Sequence, residues 1–274
     1  MNIENFFEKI IDNAKKDKYS FIDISKLNLL EIPDFTKCIN YKLIKNIKYL
    51  FASHNNIEKV EKKNFDQFPN LTVVDLSFNK ITSVKYLPNT LNQLSINNNN
   101  IRELPYIKDL VLLEASNNKI TSIPHYEKLH DLYIDSNRLT ELETFDDLFY
   151  VTCRKNDIRK INSQPNLFHL NCAFNNLGKS NTKISDPTKK ISGMPKLKHL
   201  ICTNNPHLNG FDKDIKILET FEFADTNILN LPYISTLKHI VCSSKNGELI
   251  ISEKYSLKNV VTNKYTYSIS IEFR

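Results

Sequence analysis

The sequence predicts an α/β repeat solenoid, a chain of short turns stacked on one another. Three observations predict it. Leu110, Leu113, Ala115, Asn118 and Ile120 return as Leu129, Leu132, Ile134, Asn137 and Leu139, each displaced by 19 positions, and a fixed period of this size marks a stacked-repeat architecture. Inside each copy an apolar–x–apolar alternation suits a strand with one buried face. One such turn cannot bury its apolar edge alone, whereas a stack of them can.

The elements follow in chain order. In residues 2–17, Ile3, Phe6, Phe7, Ile10, Ile11 and Ala14 share one helical face, with Asn2 as its N-cap. This predicts a capping helix over residues 1–18, lying on the open core of the first turn. A partner-binding helix is the alternative. A weak first copy, Ile22-Ile24-Leu27-Leu29, has Leu where later copies have Asn. The pattern L-x-x-L-x-L-x-x-N-x-L then recurs with its asparagine at Asn55, Asn79, Asn99, Asn118, Asn137, Asn156, Asn175 and Asn205. Leu218-Phe221-Phe223-Thr226-Ile228 continues it with Thr in the Asn slot, and Leu237-Ile240-Cys242-Lys245 is degenerate.

These copies resemble the leucine-rich repeat family over roughly residues 19–246. The resemblance implies a curved horseshoe with a parallel β-sheet on its concave face. The middle copies are similar to the short repeats of bacterial effector proteins. Asparagine steps of 19 residues leave little room for a helix after the strand, so extended or 3₁₀ backing is expected on the convex side. The 24-residue step from Asn55 to Asn79 contains VEKKNFDQFPNL, long enough for a short helix. Prolines in ELPYI and SIPHY suit extended backing. The 30-residue step from Asn175 to Asn205 holds GKSNTKISDPTKKIS, residues 178–192, a solvated loop insertion that is either tolerated or a docking or phosphorylation loop. Residues 247–274 form the predicted C-terminal cap, where Tyr267, Ile269, Ile271 and Phe273 alternate as in a strand.

An asparagine fixed at an interior position looks catalytic until the chain around it is considered. The backbone turns sharply after each strand and leaves N–H and C=O groups near the core, which need partners. An asparagine side chain offers both donor and acceptor, so the ladder is read as structural. Cys153, Cys172, Cys202 and Cys242 all occupy the second strand Leu slot and are read as small apolar fillers, not metal ligands.

The strand positions between the inward residues point to the opposite face. The expected partner-binding residues there are Tyr49, Phe51, Asp75, Phe78, Glu114, Asp131, Tyr133, Asp135, Tyr150, Arg154, His169, Phe174, His199 and Glu222. Aromatic residues and Arg are common interface anchors, and a groove is expected around Tyr133, Tyr150 and Arg154, with Asp135 beside Arg154. His169, His199 and His239 share one strand position and are read as exposed imidazoles, so no metal and no cofactor is expected.

The function this predicts is a non-catalytic protein–protein interaction module. The first glycine is Gly178, and neither it nor Gly193, Gly210 or Gly247 forms a phosphate-binding motif. G-x-S-x-G and H-E-x-x-H are absent. A recognition subunit of an enzyme complex such as a ubiquitin ligase is an alternative, with the catalytic part on another chain, because residues 247–274 are too few for such a domain. Nucleic-acid binding is a weaker alternative. The pI is 8.9, but Lys15-Lys16, Lys62-Lys63 and Lys189-Lys190 lie outside the strands, and a phosphate-tracking groove is basic. A homodimer through the concave face or the capping helix remains an alternative. No apolar run approaches the roughly 18 residues that span a bilayer, and acidic residues interrupt the N-terminal apolar stretch. Five cysteines without pairs in sequence suit a reducing compartment, so a cytoplasmic location is expected. Heavy use of Asn, Ile and Lys suggests an A/T-rich genome, of a giant DNA virus, a protist or an intracellular bacterium.

Overall fold

A computed structural model describes residues 20–37, 44–179 and 190–242 in full. It also gives the backbone of residues 41–43 and of three later strands, Ile250–Ile251, Ser256–Thr262 and Tyr267–Glu272. The expected capping helix of residues 1–18 lies outside the described residues, as do positions 180–189 of the insertion and Cys38. The chain forms two compact units, Met1–Leu129 and His130–Arg274.

In the first unit each copy contributes a three-residue strand: β1 (Phe21–Asp23), β2 (Tyr49–Phe51), β3 (Val73–Asp75), β4 (Gln93–Ser95) and β5 (Leu112–Glu114). They pair in parallel, with Ile22, Leu50, Val74, Leu94 and Leu113 side by side at the central position. All five are fully buried, so the middle of every strand faces the core and its neighbours face the other way. The backing varies with repeat length. The long connection from β1 to β2 forms 3₁₀ turns at Phe35–Lys37 and Tyr41–Asn46. The connection from β2 to β3 forms the single described helix, α1 (Lys62–Asp66), inside the segment expected to hold one. Asn64 fixes its start: its Oδ1 accepts the Glu61 N–H at 2.7 Å and its Nδ2 donates to the Ile32 carbonyl at 3.1 Å.

The second unit repeats the parallel ladder through β6 (Asp131–Tyr133), β8 (Tyr150–Thr152), β10 (His169–Asn171), β12 (His199–Ile201), β14 (Thr220–Glu222) and β16 (His239–Cys242). Here the backing is extended. Two-residue strands β7 (Glu141–Leu142) and β9 (Lys160–Ile161) pair in parallel, as do β11 (Lys190–Ile191) with β13 (Gly210–Phe211), and β15 (Asn230–Leu231) with β17 (Ile250–Ile251). A 19-residue turn has no length for a helix, so the chain spans the back of the turn in an extended conformation. After the insertion, Gly193 re-enters the stack at φ 74°, and a Cβ there would meet the Ser163 backbone Cα at 2.8 Å. Glycine is required at that approach.

The C-terminal segment closes the ladder by a change of direction. Strand β19 (Tyr267–Glu272) pairs antiparallel to β16, and β18 (Ser256–Thr262) pairs antiparallel to β19. The register of β18 shifts between Lys258 and Val260. A bulge on an outer strand discourages edge-to-edge pairing.

The turn after each strand has one conformation throughout. His54, Phe78, Asn98, Asn117, Ser136, Lys155, Phe174, Asn204 and Asp225, each immediately before the asparagine slot, have φ between 53° and 58°. Asparagine, aspartate and histidine are the side chains found most often in this left-handed region, whereas phenylalanine and lysine are strained in it.

Candidate functional site

The ladder asparagines face inward, between 0% and 9% exposed. Asn175 shows the arrangement. Its Nδ2 donates to the Cys153 carbonyl of the preceding turn at 2.9 Å and to the Cys172 carbonyl of its own turn at 3.0 Å, and its Oδ1 accepts the Ile158 N–H at 3.0 Å. Asn79, Asn99, Asn118, Asn156 and Asn205 make the same three kinds of bond. Asn55 reaches Ile24 and Ala52 and accepts two N–H groups, from Leu27 and Leu29. Asn137 donates to Ile134 at 3.2 Å. Thr226, in the same slot, donates to the Phe223 carbonyl at 2.7 Å. These groups are occupied by backbone, so their chemistry is spent on the fold.

Cys153, Cys172, Cys202 and Cys242 are unpaired and buried. Burial raises all four thiol pKa values, that of Cys242 to about 11, which leaves them poor nucleophiles. Among the described residues no group of three or more His, Cys, Asp or Glu is placed to hold a metal.

The other face of each sheet carries the side chains that meet solvent. In the first unit, Tyr49 is exposed, and Phe51, Asp75 and Glu114 are half-buried. Glu114 accepts the Ser95 hydroxyl. Asp75 accepts the Ser77 N–H at 2.9 Å. Phe78, 48% exposed, stacks on His54 with centroids 4.2 Å apart. The centre of this face is amide and hydroxyl: Gln93, Ser95, Asn97 and Asn98. The outward positions are not uniformly open, because Ser77, and in the second unit Ala173 and Ala224, are buried in the turn.

The second unit is aromatic instead. Parallel strands in register place equivalent side chains about 4.8 Å apart, close to the stacking distance of planar rings. Tyr150 stacks on His169 at 4.4 Å and 5°. Tyr133 lies 5.4 Å from Tyr150, and His169 lies 5.9 Å from His199. His199 Nδ1 is 2.8 Å from Thr220 Oγ1. Burial, then the neighbouring His199, lowers the His169 pKa. Asp131, Asp135, Arg154 and Glu222 are half-buried, and Phe174 is 44% exposed. Asp135 Oδ1 accepts the backbone N–H of Arg154 at 2.7 Å, so the carboxylate also fixes the turn.

A second column stands beside the first. His130 stacks on Phe149 at 5.0 Å, and Phe149 on Phe168 at 4.9 Å and 7°. Lys198 Nζ sits 5.7 Å from the Phe168 ring centroid and 2.8 Å from Glu219, which also pairs with Lys238 at 2.7 Å. Hydrogen bonds from the two lysines hold the Glu219 carboxyl near a pKa of about 2. An outward set taken from the strand residues alone leaves this column out. The signal was available: an aromatic residue follows the first Leu of the repeat at 130, 149 and 168.

Stacked in-register coils with parallel strands and an inward asparagine ladder define a repeat solenoid. Residues 45–89 match the family model for leucine-rich repeats, described as two copies, and the stacked parallel strands have the fold of a leucine-rich-repeat solenoid. The chain is similar in fold to the leucine-rich repeat domain of APL1B, at 20% identity over 88% of this chain and 72% of that one, with a TM-score of 0.64. It is similar to a Shigella effector leucine-rich-repeat domain, at 22% identity over 63% of this chain and 77% of that one, TM-score 0.51. A structure of the Drosophila Toll–Spatzle complex matches at 20% identity over 77% of this chain and 35% of that one, TM-score 0.54. No curated protein matches the sequence. Repeat solenoids commonly serve as interaction modules through the extended surface their strands build. Among the described residues no helix is long and apolar enough to cross a membrane.

Proposed function

We propose that the protein is a non-catalytic binding module that holds a protein partner on the open face of its second unit, around Tyr133, Tyr150 and Arg154. The observation that carries this is the pair of stacked aromatic columns. Seven rings (His130, Tyr133, Phe149, Tyr150, Phe168, His169 and His199) line adjacent positions of β6 to β12. Rings fixed by their neighbours lose little freedom when a partner covers them, and Tyr and Arg are the residues on which interface energy concentrates. The same reading places the protein inside the cell, where four unpaired thiols stay reduced.

Affinity capture from lysate tests it. Wild type is run beside a Tyr133→Ala, Tyr150→Ala, Arg154→Glu variant, after circular dichroism establishes that both fold. Asp135 is left intact because it caps the Arg154 turn. A protein captured by wild type and lost in the variant is the expected result. Equal capture by both moves the site off this face.

A further inference from the structure

We propose that the partner segment seated on the second unit is acidic: an extended peptide stretch whose Asp or Glu carboxylates are received between β8 and β12. This rests on the protein-binding reading above and specifies its chemistry.

Charge is sorted along the ladder. The positions of the β8, β10 and β12 turns that meet solvent are Phe149, Tyr150, Thr152, Arg154 and Lys155; Phe168, His169, Asn171 and Phe174; and Lys198, His199, Ile201, Thr203 and Asn204. None is a carboxylate. The flanking turns carry them: Asp131 and Asp135 at β6, and Glu222 and Asp225 at β14. Three consecutive turns therefore form a cationic and aromatic window bounded by acid on both sides. Two strand spacings make it about 10 Å wide, enough for a few residues of extended chain.

Two details of geometry select carboxylates. The rings are stacked face to face, so their negative faces are turned toward one another and their positive edges, with the imidazole N–H and phenol O–H groups, remain for a ligand. Arg154 is half-buried, with its Nε enclosed and lacking an acceptor among the described residues, so a ligand would meet the terminal guanidinium nitrogens. A guanidinium donor is best satisfied by a carboxylate, to which it binds through two parallel hydrogen bonds. Lys198 and Lys238 share the single carboxylate of Glu219, so this column keeps one net positive charge at the window's edge. The acidic flanks repel a basic segment and set the register of an acidic one.

The test is selection of random 12-residue peptides displayed on phage against the full chain, followed by fluorescence polarisation with the recovered peptides. The expected result is enrichment of Asp and Glu, an affinity that falls as salt rises, and a loss of at least about tenfold in Arg154→Gln. Arg102→Gln, on a loop of the first unit, is the control and leaves affinity unchanged. Neutral or basic peptides whose binding is lost in Tyr150→Ala overturn the acidic inference while the binding module stands. Failure to enrich any peptide overturns both. Poly-uridylate bound by wild type and released by Arg154→Gln overturns the inference in favour of nucleic acid. A concentration-dependent dimer that Arg154→Gln dissolves, read by sedimentation, overturns it in favour of a second copy of the chain.

Discussion

The two units share one strand and one turn but differ in back and face. The first, with connections up to 28 residues between equivalent strand positions (Phe21 to Tyr49), fills its back with 3₁₀ turns and a short helix. The second, built largely on a 19-residue repeat, backs its ladder with two-residue parallel strands. The face of the first is centred on amides and hydroxyls, and that of the second on stacked rings. The shared elements are those that satisfy backbone groups, and the differing ones face solvent or span the back. Solenoid geometry thus constrains about half of each repeat and leaves the remainder for length variation and recognition.

The comparison is tested most strongly where the units are the same. Asn99→Leu in the first and Asn175→Leu in the second each strand two carbonyls and an N–H. Each is expected to destabilise by about 1–3 kcal/mol in urea unfolding. A large loss in one unit and none in the other would break the equivalence. Gly193→Ala touches only the second unit and should cost about 1–3 kcal/mol through backbone strain and the Ser163 contact. Rescue of the lost stability by removing Ser163's side chain would not be expected, because the clash includes its Cα.

Smaller effects separate face from frame. Phe174→Gly relieves a left-handed phenylalanine at φ 58° and should gain up to about 1 kcal/mol of stability. The same change is expected to weaken partner capture, since Phe174 is exposed on the proposed face. Increased stability with unaltered capture would remove it from the site. The His169 pKa is lowered in the folded chain. The unfolded chain then binds more protons, so stability is full above the ordinary histidine value of about 6.5 and falls as pH drops below it. Thermal melts from pH 7.5 to 5 should show this slope, reduced in His169→Asn. Smallest is Glu219, whose carboxyl pKa is lowered to about 2 but which is only half-buried and so still meets solvent. Its contribution is present above the ordinary carboxylate value and is lost as pH falls toward 2. Screening should make Glu219→Gln indistinguishable from wild type in unfolding at 0.15 M salt.

Much of the fold was legible because an inward side chain has to recur with the period of the backbone. Leu50, Leu94 and Leu132 mark their strands directly, and VEKKNFDQFPNL announced α1 by its length. The candidate site was legible only in part. Tyr133, Tyr150 and His169 were found as outward strand positions. Phe149 and Phe168 were missed because they precede the strand and become neighbours of that face only when coils stack in register. Buried Gln67 and Gln164 carried no periodic signal. Gln67 Oε1 accepts the Phe35 N–H and Gln164 Oε1 the Phe145 N–H, each bridging neighbouring turns behind the strands of its own unit.

The sequence by itself determined the repeat, the strand positions, the inward cysteines and the slot of the asparagine ladder, because each depends on local period and on side-chain chemistry. Only the tertiary structure decided which rings meet, that Asp135 holds a backbone N–H of the next turn, that Arg154 Nε has no acceptor among the described residues, and that the ladder ends in an antiparallel pair. Those contacts join residues 17 to 31 positions apart, and their distances are set by the spacing of stacked strands, a quantity no single turn contains.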